Sequence, residues 1–346
     1  MKAMFRSALI LAPCLLALSG MAKADTELSF YGLVDVWAGS KEAPANSDST
    51  ARLDAGGMTT SFLGTRIQTT LPNGVRAFAV AEMFFRPDTG EDRRYPNDEF
   101  FARAAYVGAR GDLGQLKAGR TTAPLFVPVI TSNPFGASFN FSPAVLHSFL
   151  GGNNGPMAGN SAWSNSISYT TPSMGGLRAN VVYAFGEQEG DSGANRLGGS
   201  LTYRQGGLMV TLAGHSIKDG AINAGGDPGA LGADSQDAWL LGLSYDLGPV
   251  QVFGMYQALE TGTATGDIDT DTAQAGVAVP VGQGKAMASY AHTDYSGARD
   301  TERNTWAVGY SYPFNTSLDM YAAFLRDDLK DTGDGNTYGI GARFRF

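Results

Sequence analysis

Cysteine is nearly missing from this chain: Cys14 is the only one among 346 residues. No internal disulfide can form, so stability has to come from elsewhere. Charge is also sparse, at 17% Asp, Glu, Lys and Arg, where soluble domains average about a quarter. No basic cluster accompanies the formal net charge of −8, which argues against nucleic acid as a partner. The three histidines, His147, His215 and His292, show no metal-ligand spacing, and neither a metal nor a cofactor is expected. Beyond the first 24 residues, no apolar run reaches the ~18 residues that a membrane-spanning helix needs.

What is present begins with a leader. Lys2 and Arg6 give a positive start, Ala8 to Leu18 an apolar core, and Ala22-Lys23-Ala24 a small-x-small cleavage site. Residues 1–24 are therefore expected to be a cleaved signal peptide, and residues 25–346 a single domain. Cleavage would remove Cys14 and three of the 25 basic residues, leaving 22 against 33 acidic ones, or −11. The mature chain would be exported and free of thiols.

From Leu28 onward, segments of about ten residues alternate apolar and polar side chains between turn residues. Sixteen are read, from 28–39 to 336–346, with 60–71 and 99–110 among them. Links alternate in length: Leu71 to Gly74, Gly111 to Gly114 and Gly282 to Gly284 are short, whereas Lys41 to Thr59, Pro87 to Asp98 and Lys218 to Gln236 are long and polar. The last segment, NTYGIGARFRF, puts Tyr338, Ile340, Ala342, Phe344 and Phe346 on one face and Thr337, Gly339, Gly341, Arg343 and Arg345 on the other. Leader, rim asymmetry and aromatic segment ends together predict an all-β fold, a 16-stranded antiparallel transmembrane β-barrel in an outer membrane. Lipid offers the backbone no partners, so the sheet must close. At this strand number the interior is too wide for side chains to fill, and a water-filled channel follows.

One stretch breaks the rhythm. From about 121 to 163 there is no Asp, Glu, Lys or Arg, and six aromatics occur: Phe126, Phe135, Phe139, Phe141, Phe149 and Trp163. A linker of this length would be charged if disordered. It is expected to fold inward and constrict the channel.

Several motifs resemble the general porins of Gram-negative bacteria, particularly the trimeric type of Neisseria and its relatives. They are LSFYGLVD (Leu28 to Asp35), SFLGTRIQTTLPNGVRAFAVAE (Ser61 to Glu82), RAAYVGARGDLGQLKAGR (Arg103 to Arg120), NPFG (Asn133 to Gly136), NSISYTTP (Asn165 to Pro172) and the terminal GARFRF. The resemblance covers nearly the whole mature chain. It implies a homotrimeric channel whose first and last strands meet, with Phe346 as the signal read by the barrel-assembly machinery. The chain departs from the family's pattern at Phe62, Ala162, Trp163 and Pro313 to Thr316, where basic residues are common, and it lacks acids on the constriction loop. These departures remove the basis for carrying over an anion preference.

Parity sends Asp35, Arg66, Gln68, Arg76, Glu82, Arg103 and Lys117 to the lumen, either as charges acting on solutes or as ion pairs bracing the wall. Arg120 sits at the loop's root as an anchor. Phe126, Phe135, Phe139 and Phe141 either pack the loop against the wall or line the eyelet, and His147 lies on the same loop. Acids gather toward the outer rim, at Glu187, Glu189 and Asp191, at Asp267, Asp269 and Asp271, and at Asp327, Asp328, Asp331 and Asp334. They either keep the rim solvated or bridge to lipopolysaccharide phosphates through divalent cations. The function expected is passive diffusion of small hydrophilic solutes and ions, with mild cation preference from the net charge. The alternative on the same barrel is a channel specific for oligosaccharides or for aromatic and organic acids. A hydrolase is disfavoured, since no histidine has a companion nucleophile motif.

Overall fold

A computed structural model describes residues 26–44, 48–96, 98–150, 158–187, 195–218 and 233–346. The expected leader, residues 151–157 of the irregular stretch, and Glu189 and Asp191 lie outside the described residues. In chain order come β1 (Thr26–Lys41), β2 (Thr50–Ala55), β3 (Phe62–Thr70), β4 (Arg76–Phe84), β5 (Ala104–Gly111) and β6 (Gly114–Thr122). Two short helices follow, α1 (Phe126–Thr131) and α2 (Pro143–Phe149). Then come β7 (Ala162–Thr170), β8 (Leu177–Ala184), β9 (Arg196–Gln205), β10 (Leu208–Ile217), β11 (Ala233–Asp246) and β12 (Gln251–Thr263). The chain ends with β13 (Ile268–Val281), β14 (Gly284–Gly297), β15 (Thr301–Pro313), β16 (Leu318–Leu329) and β17 (Gly333–Arg345).

Every neighbour is antiparallel, and the sheet closes where β17 pairs with β1, from Leu33↔Arg345 to Lys41↔Thr337. The terminal residue takes part: Gly32 N donates to Phe346 O at 3.0 Å, and Phe346 N to Gly32 O at 3.2 Å. The 17 named strands make 16 staves. Both β2 and β3 lie on β1, β2 against Val36 to Lys41 and β3 against Thr26 to Leu33, so the two form one stave with a break at 56–61. Asp35 holds that break. Its carboxylate accepts from the backbone N–H groups of Gly57, Met58 and Thr59 at 3.2, 2.8 and 2.7 Å, and from the Tyr321 hydroxyl.

Two of the expected boundaries shift. Residues 50–55, read as part of a long polar loop, form β2 because they continue the stave begun by β3. The segment read as 99–110 starts as a strand only at Ala104; Phe100 and Phe101 lie in a turn with their rings edge to face at 4.8 Å.

The two faces of the sheet differ as the alternation predicts. On β11, Trp239, Leu241, Leu243 and Tyr245 are exposed, while Ala238 and Leu240 on the opposite face are buried. Large apolar groups turned outward suit lipid rather than water. Ring pairs recur on this aromatic face, such as Trp239 with Tyr256 and Trp306 with Phe324. The face of β3–β6 is different, carrying Ala77, Ala79, Ala81, Ala105, Val107, Ala109, Leu116 and Ala118 but no aromatic.

Candidate functional site

The irregular stretch leaves the sheet through a bulge. Pairing of β6 with β7 slips between Gly119↔Ser166 and Thr121↔Trp163, giving β7 one extra residue. Asn165 absorbs it at φ 54°, a left-handed conformation that asparagine tolerates better than most residues. Arg120 sits beside the slip and donates to the Ala102 carbonyl at 2.6 Å and to Ser164 Oγ at 2.7 Å. It ties the outgoing strand to the returning one.

Between these roots the chain packs on the polar face of the sheet. Ser142 caps α2 by accepting from Val145 N, Pro143 fills its first turn, and all seven helical residues are buried. Proline at the first helical position sacrifices only a donor that would lack a partner there. At the other end, Arg303 Nη1 donates to the carbonyls of Leu146 and Leu150 at 3.3 and 2.7 Å. The same guanidinium grips Asp327 with two bonds, at 2.8 and 2.7 Å. A buried ion pair offsets its desolvation cost only when its remaining donors are also satisfied, and the helix carbonyls satisfy them here.

His147 is the middle of a hydrogen-bonded chain. Its Nδ1 lies 2.6 Å from Thr293 Oγ1 and its Nε2 lies 2.7 Å from Thr305 Oγ1. Thr305 gives its own proton to Asp327, so it can only accept from the ring. The tautomer is therefore Nε2–H, with Nδ1 accepting from Thr293, which in turn accepts from Thr272 at 2.7 Å. Burial and the facing Arg303 push the imidazole well below its ordinary pKa, against the pull of Asp327.

Close approach needs room as well as partners. A Cβ at Gly276 would lie 2.6 Å from Pro134 Cδ, and one at Gly242 would lie 2.2 Å from Ser132 Oγ. Glycine at these positions lets the segment touch the sheet. Phe135 and Phe141 then pack with Trp37, Met287, Tyr321 and Leu325, while Leu125, Val129 and Phe149 pack with Leu240, Met255 and Leu259. Each such side chain contributes about 1.5–3 kcal/mol on full burial. The contacts continue onto the first stave: Lys41 Nζ donates to Asn140 Oδ1 at 2.9 Å, and Ser138 Oγ to Gly57 O at 2.6 Å. Beyond its roots, where Ala123 and Trp163 pack with Val182 and Ala184 of β8 and Pro124 lies on Gly198 of β9, the segment follows the wall from β10 to β16 and on to β1 and β2.

The other arc, β3 to β9, is basic. Glu82 is taken up by the Tyr31 hydroxyl at 2.6 Å and by Arg103 Nε at 2.9 Å, and Arg103 also covers the Phe62 ring at 3.9 Å. Arg66 lies over Phe78 at 5.1 Å and Lys117 over Tyr106 at 4.8 Å. Among the described residues, no carboxylate pairs with Arg66, Arg76, Lys117 or Arg178. Gln68 donates to Glu27 at 2.6 Å. Elsewhere on the wall, Asp319 and Asp327 of β16 are held by Arg343 and Arg345 and by Arg303, and Asp54 of β2 by Arg52 and Arg86.

Of the residues expected in the lumen or on the constricting stretch, four are enclosed, which for Phe135 and Phe141 is the wall-packing alternative. Asp35 and His147 are 0% exposed, Phe141 is 0% and Phe135 is 1%, because each is consumed in fastening the break or seating the segment. Phe126 and Phe139 are half-buried and pack against Phe149, edge to face at 5.5 Å and tilted at 6.3 Å. Arg103 reaches Glu82 as expected, but not through the strand parity read from the sequence: the register places Ala104 opposite Glu82, and Arg103 turns inward because it precedes the first residue of β5. Asp327, read as a rim acid, is buried on β16; the parity of Tyr321, Ala323 and Leu325 would have placed it. Parity would likewise have found Arg178 and Arg204 on β8 and β9. Nothing in the sequence singles out Gly242 or Gly276. Among the described residues, no three His, Cys, Asp or Glu side chains stand together as a metal site, and the Asp267 to Asp271 run gathers no such group.

A closed barrel with an aromatic outer face, a polar inner face and a segment packed across one wall defines a channel-forming class of outer-membrane protein. Residues 8–332 match the Gram-negative porin family, and the chain belongs to it. It is 29% identical over 348 residues to outer membrane porin protein 32 of Delftia acidovorans, covering 96% of this chain and 92% of that one. It is 24% identical over 400 residues to an outer membrane porin protein of Bordetella pertussis, covering 99% of this chain and 100% of that one. In structure it resembles the anion-selective porin from Comamonas acidovorans, with TM-score 0.79, 24% identity, and coverage of 93% of this chain and 100% of that one. The trimer form of OmpT from Vibrio cholerae is also similar, with TM-score 0.69, 16% identity, and coverage of 93% and 99%. The protein is a β-barrel porin of the outer membrane with channel function, and its fold is typical of non-catalytic channels.

Proposed function

We propose that the stretch 121–163 lies within the lumen as a constriction, that solutes pass between it and the β3–β9 wall, and that the channel admits small hydrophilic solutes with a preference for anions. The observation that carries this reading is the one-sided docking of the segment. It covers the arc from β10 to β2 and leaves the basic arc facing water. A whole-chain charge suggested mild cation preference, but a permeating ion feels the nearby lumen charges first, strengthened by low-dielectric walls. Asp54, Glu82, Asp319 and Asp327 are ion-paired and Asp35 is enclosed, while Arg66, Arg76, Lys117 and Arg178 meet no carboxylate among the described residues. Asp237, Glu260, Asp269, Asp271 and Asp294 share parity with Trp239, Tyr256 and Tyr290 and so turn away from the lumen. On that outer rim they would meet lipopolysaccharide. The anion preference named for the Comamonas acidovorans porin is consistent with this reading. In a salt gradient across a planar bilayer, the reversal potential should have the sign of anion permeation. A cation-selective potential would overturn the preference, and conductance unaffected by neutral sugars of every size would overturn the constriction.

The assembly is proposed to be a homotrimer of the Neisseria-type subfamily, joined through the aromatic-free face of β3–β6. Lipid-facing aromatics mark membrane interfaces, and a face without them is better suited to a second copy of the chain. Cross-linking of the purified protein in detergent would show trimers if this is right and only monomers if it is not. Residues 1–24 act as the export signal in this account, and Phe346, which pairs with Gly32 at the seam, as the assembly signal.

A further inference from the structure

One recess of the open wall has chemistry of its own. It lies where β6 to β10 face α1 and encloses about 440 Å³. Lys117, Arg178 and Arg204 open onto it, and no carboxylate lines it. Among the described residues, the Arg204 guanidinium meets only the Met209 sulfur, at 3.1 Å, and Arg178 meets no acceptor. Facing these cations across the recess are Val127 and Pro128 of α1, and Val127 is 49% exposed although its neighbours Pro128 and Val129 are buried. The recess therefore combines unsatisfied cationic donors on one side with bare apolar surface on the other.

We propose that this recess is a binding station for small monocarboxylates that carry an apolar chain or ring. The carboxylate meets the forked donors of Arg178 and Arg204, a geometry that favours carboxylates over spherical anions. The apolar body covers Val127, removing from water a surface that sugars and inorganic anions leave wet. The recess is large enough for a molecule of that size, and its openness to the lumen keeps binding weak enough for release, as conduction requires. The proposal rests on the channel reading above and names the solute class the channel holds longest.

Single-channel current is measured in planar bilayers with rising benzoate or hexanoate against chloride. The station predicts saturating current for the two carboxylates and near-linear current for chloride. The double variant Arg178→Gln/Arg204→Gln should raise the half-saturating benzoate concentration about tenfold, the scale of losing a charge-assisted hydrogen bond. Val127→Ser should weaken benzoate and leave chloride unchanged, which separates apolar contact from charge alone. Benzyl alcohol, the neutral ring, should not compete with benzoate. Linear benzoate current through a channel that conducts chloride overturns the station and leaves the channel standing. Saturation unchanged in the double variant, or competition by benzyl alcohol, also overturns it. A folded protein with no conductance overturns both readings.

Discussion

Strands β10–β16 and strands β3–β9 turn polar faces toward the same enclosed space, yet the two faces are built for different tasks. The first carries threonines, glutamines, glycines and one buried ion pair, and several of these are met by the segment: Thr293 and Thr305 by His147, Gln257 by Ser148, Gly276 by Pro134, and Arg303 by Leu146 and Leu150. The second carries arginine and lysine with few acids, and Arg66, Arg76, Lys117 and Arg178 meet no carboxylate among the described residues. Short hydroxyls and absent side chains let backbone approach backbone, whereas long cations keep a distance and hold water. The contrast shows that an uncharged loop can be positioned by its receiving wall alone, so that the loop itself need contribute no charge.

The strongest way to break the contrast is to strip the receiving wall of its ion pair. Asp327→Ala leaves Arg303 buried without its partner, a loss of about 3–5 kcal/mol. The expected outcome is a channel with larger, noisier unit conductance and a raised sugar exclusion limit, read in single-channel records. Overfilling the wall is the next test. Gly276→Val drives side-chain atoms into Pro134 and should cost about 1–3 kcal/mol, with a smaller rise in conductance. On the opposite wall, Arg66→Gln with Lys117→Gln should leave the sugar limit in place and shift the reversal potential toward zero. The smallest effect concerns pH. The undocked segment has an ordinary histidine with pKa near 6.5, whereas docked His147 resists protonation, so the undocked form binds more protons below that pH. Docking therefore holds fully above about pH 6.5 and weakens as pH falls, and channel noise should grow in acid. The charged groups facing His147 are Arg303 and Asp327, with His292 acting from the other face of β14, and in His147→Gln the acid-dependent part should shrink.

The barrel is legible in the sequence because a period of two and alternating link lengths are local patterns. All sixteen alternating segments correspond to strands, and NTYGIGARFRF shows both faces in eleven residues. The second stave escapes such a reading because β2 and β3 are held in line by Asp35, a long-range contact that alternation does not encode. The segment's composition announces that it must pack, but not where. Its seat depends on Arg303 and Asp327, more than 150 residues away in sequence, and on glycines whose meaning lies in what would collide with them. Parity alone places the charged residues on a face, and it cannot tell an enclosed carboxylate such as Asp35 from an open cation such as Arg178.

Cys14 is the only cysteine in the sequence, so in a Cys14→Ser background single introduced thiols can be modified alone, and their modification reports which wall the current passes. With a water-soluble thiol reagent applied to conducting channels, Lys117→Cys and Arg178→Cys should react and reduce the current, while Thr293→Cys and Thr305→Cys stay silent beneath α2. Current block at Thr293 and Thr305 with silence at Lys117 and Arg178 would contradict the account.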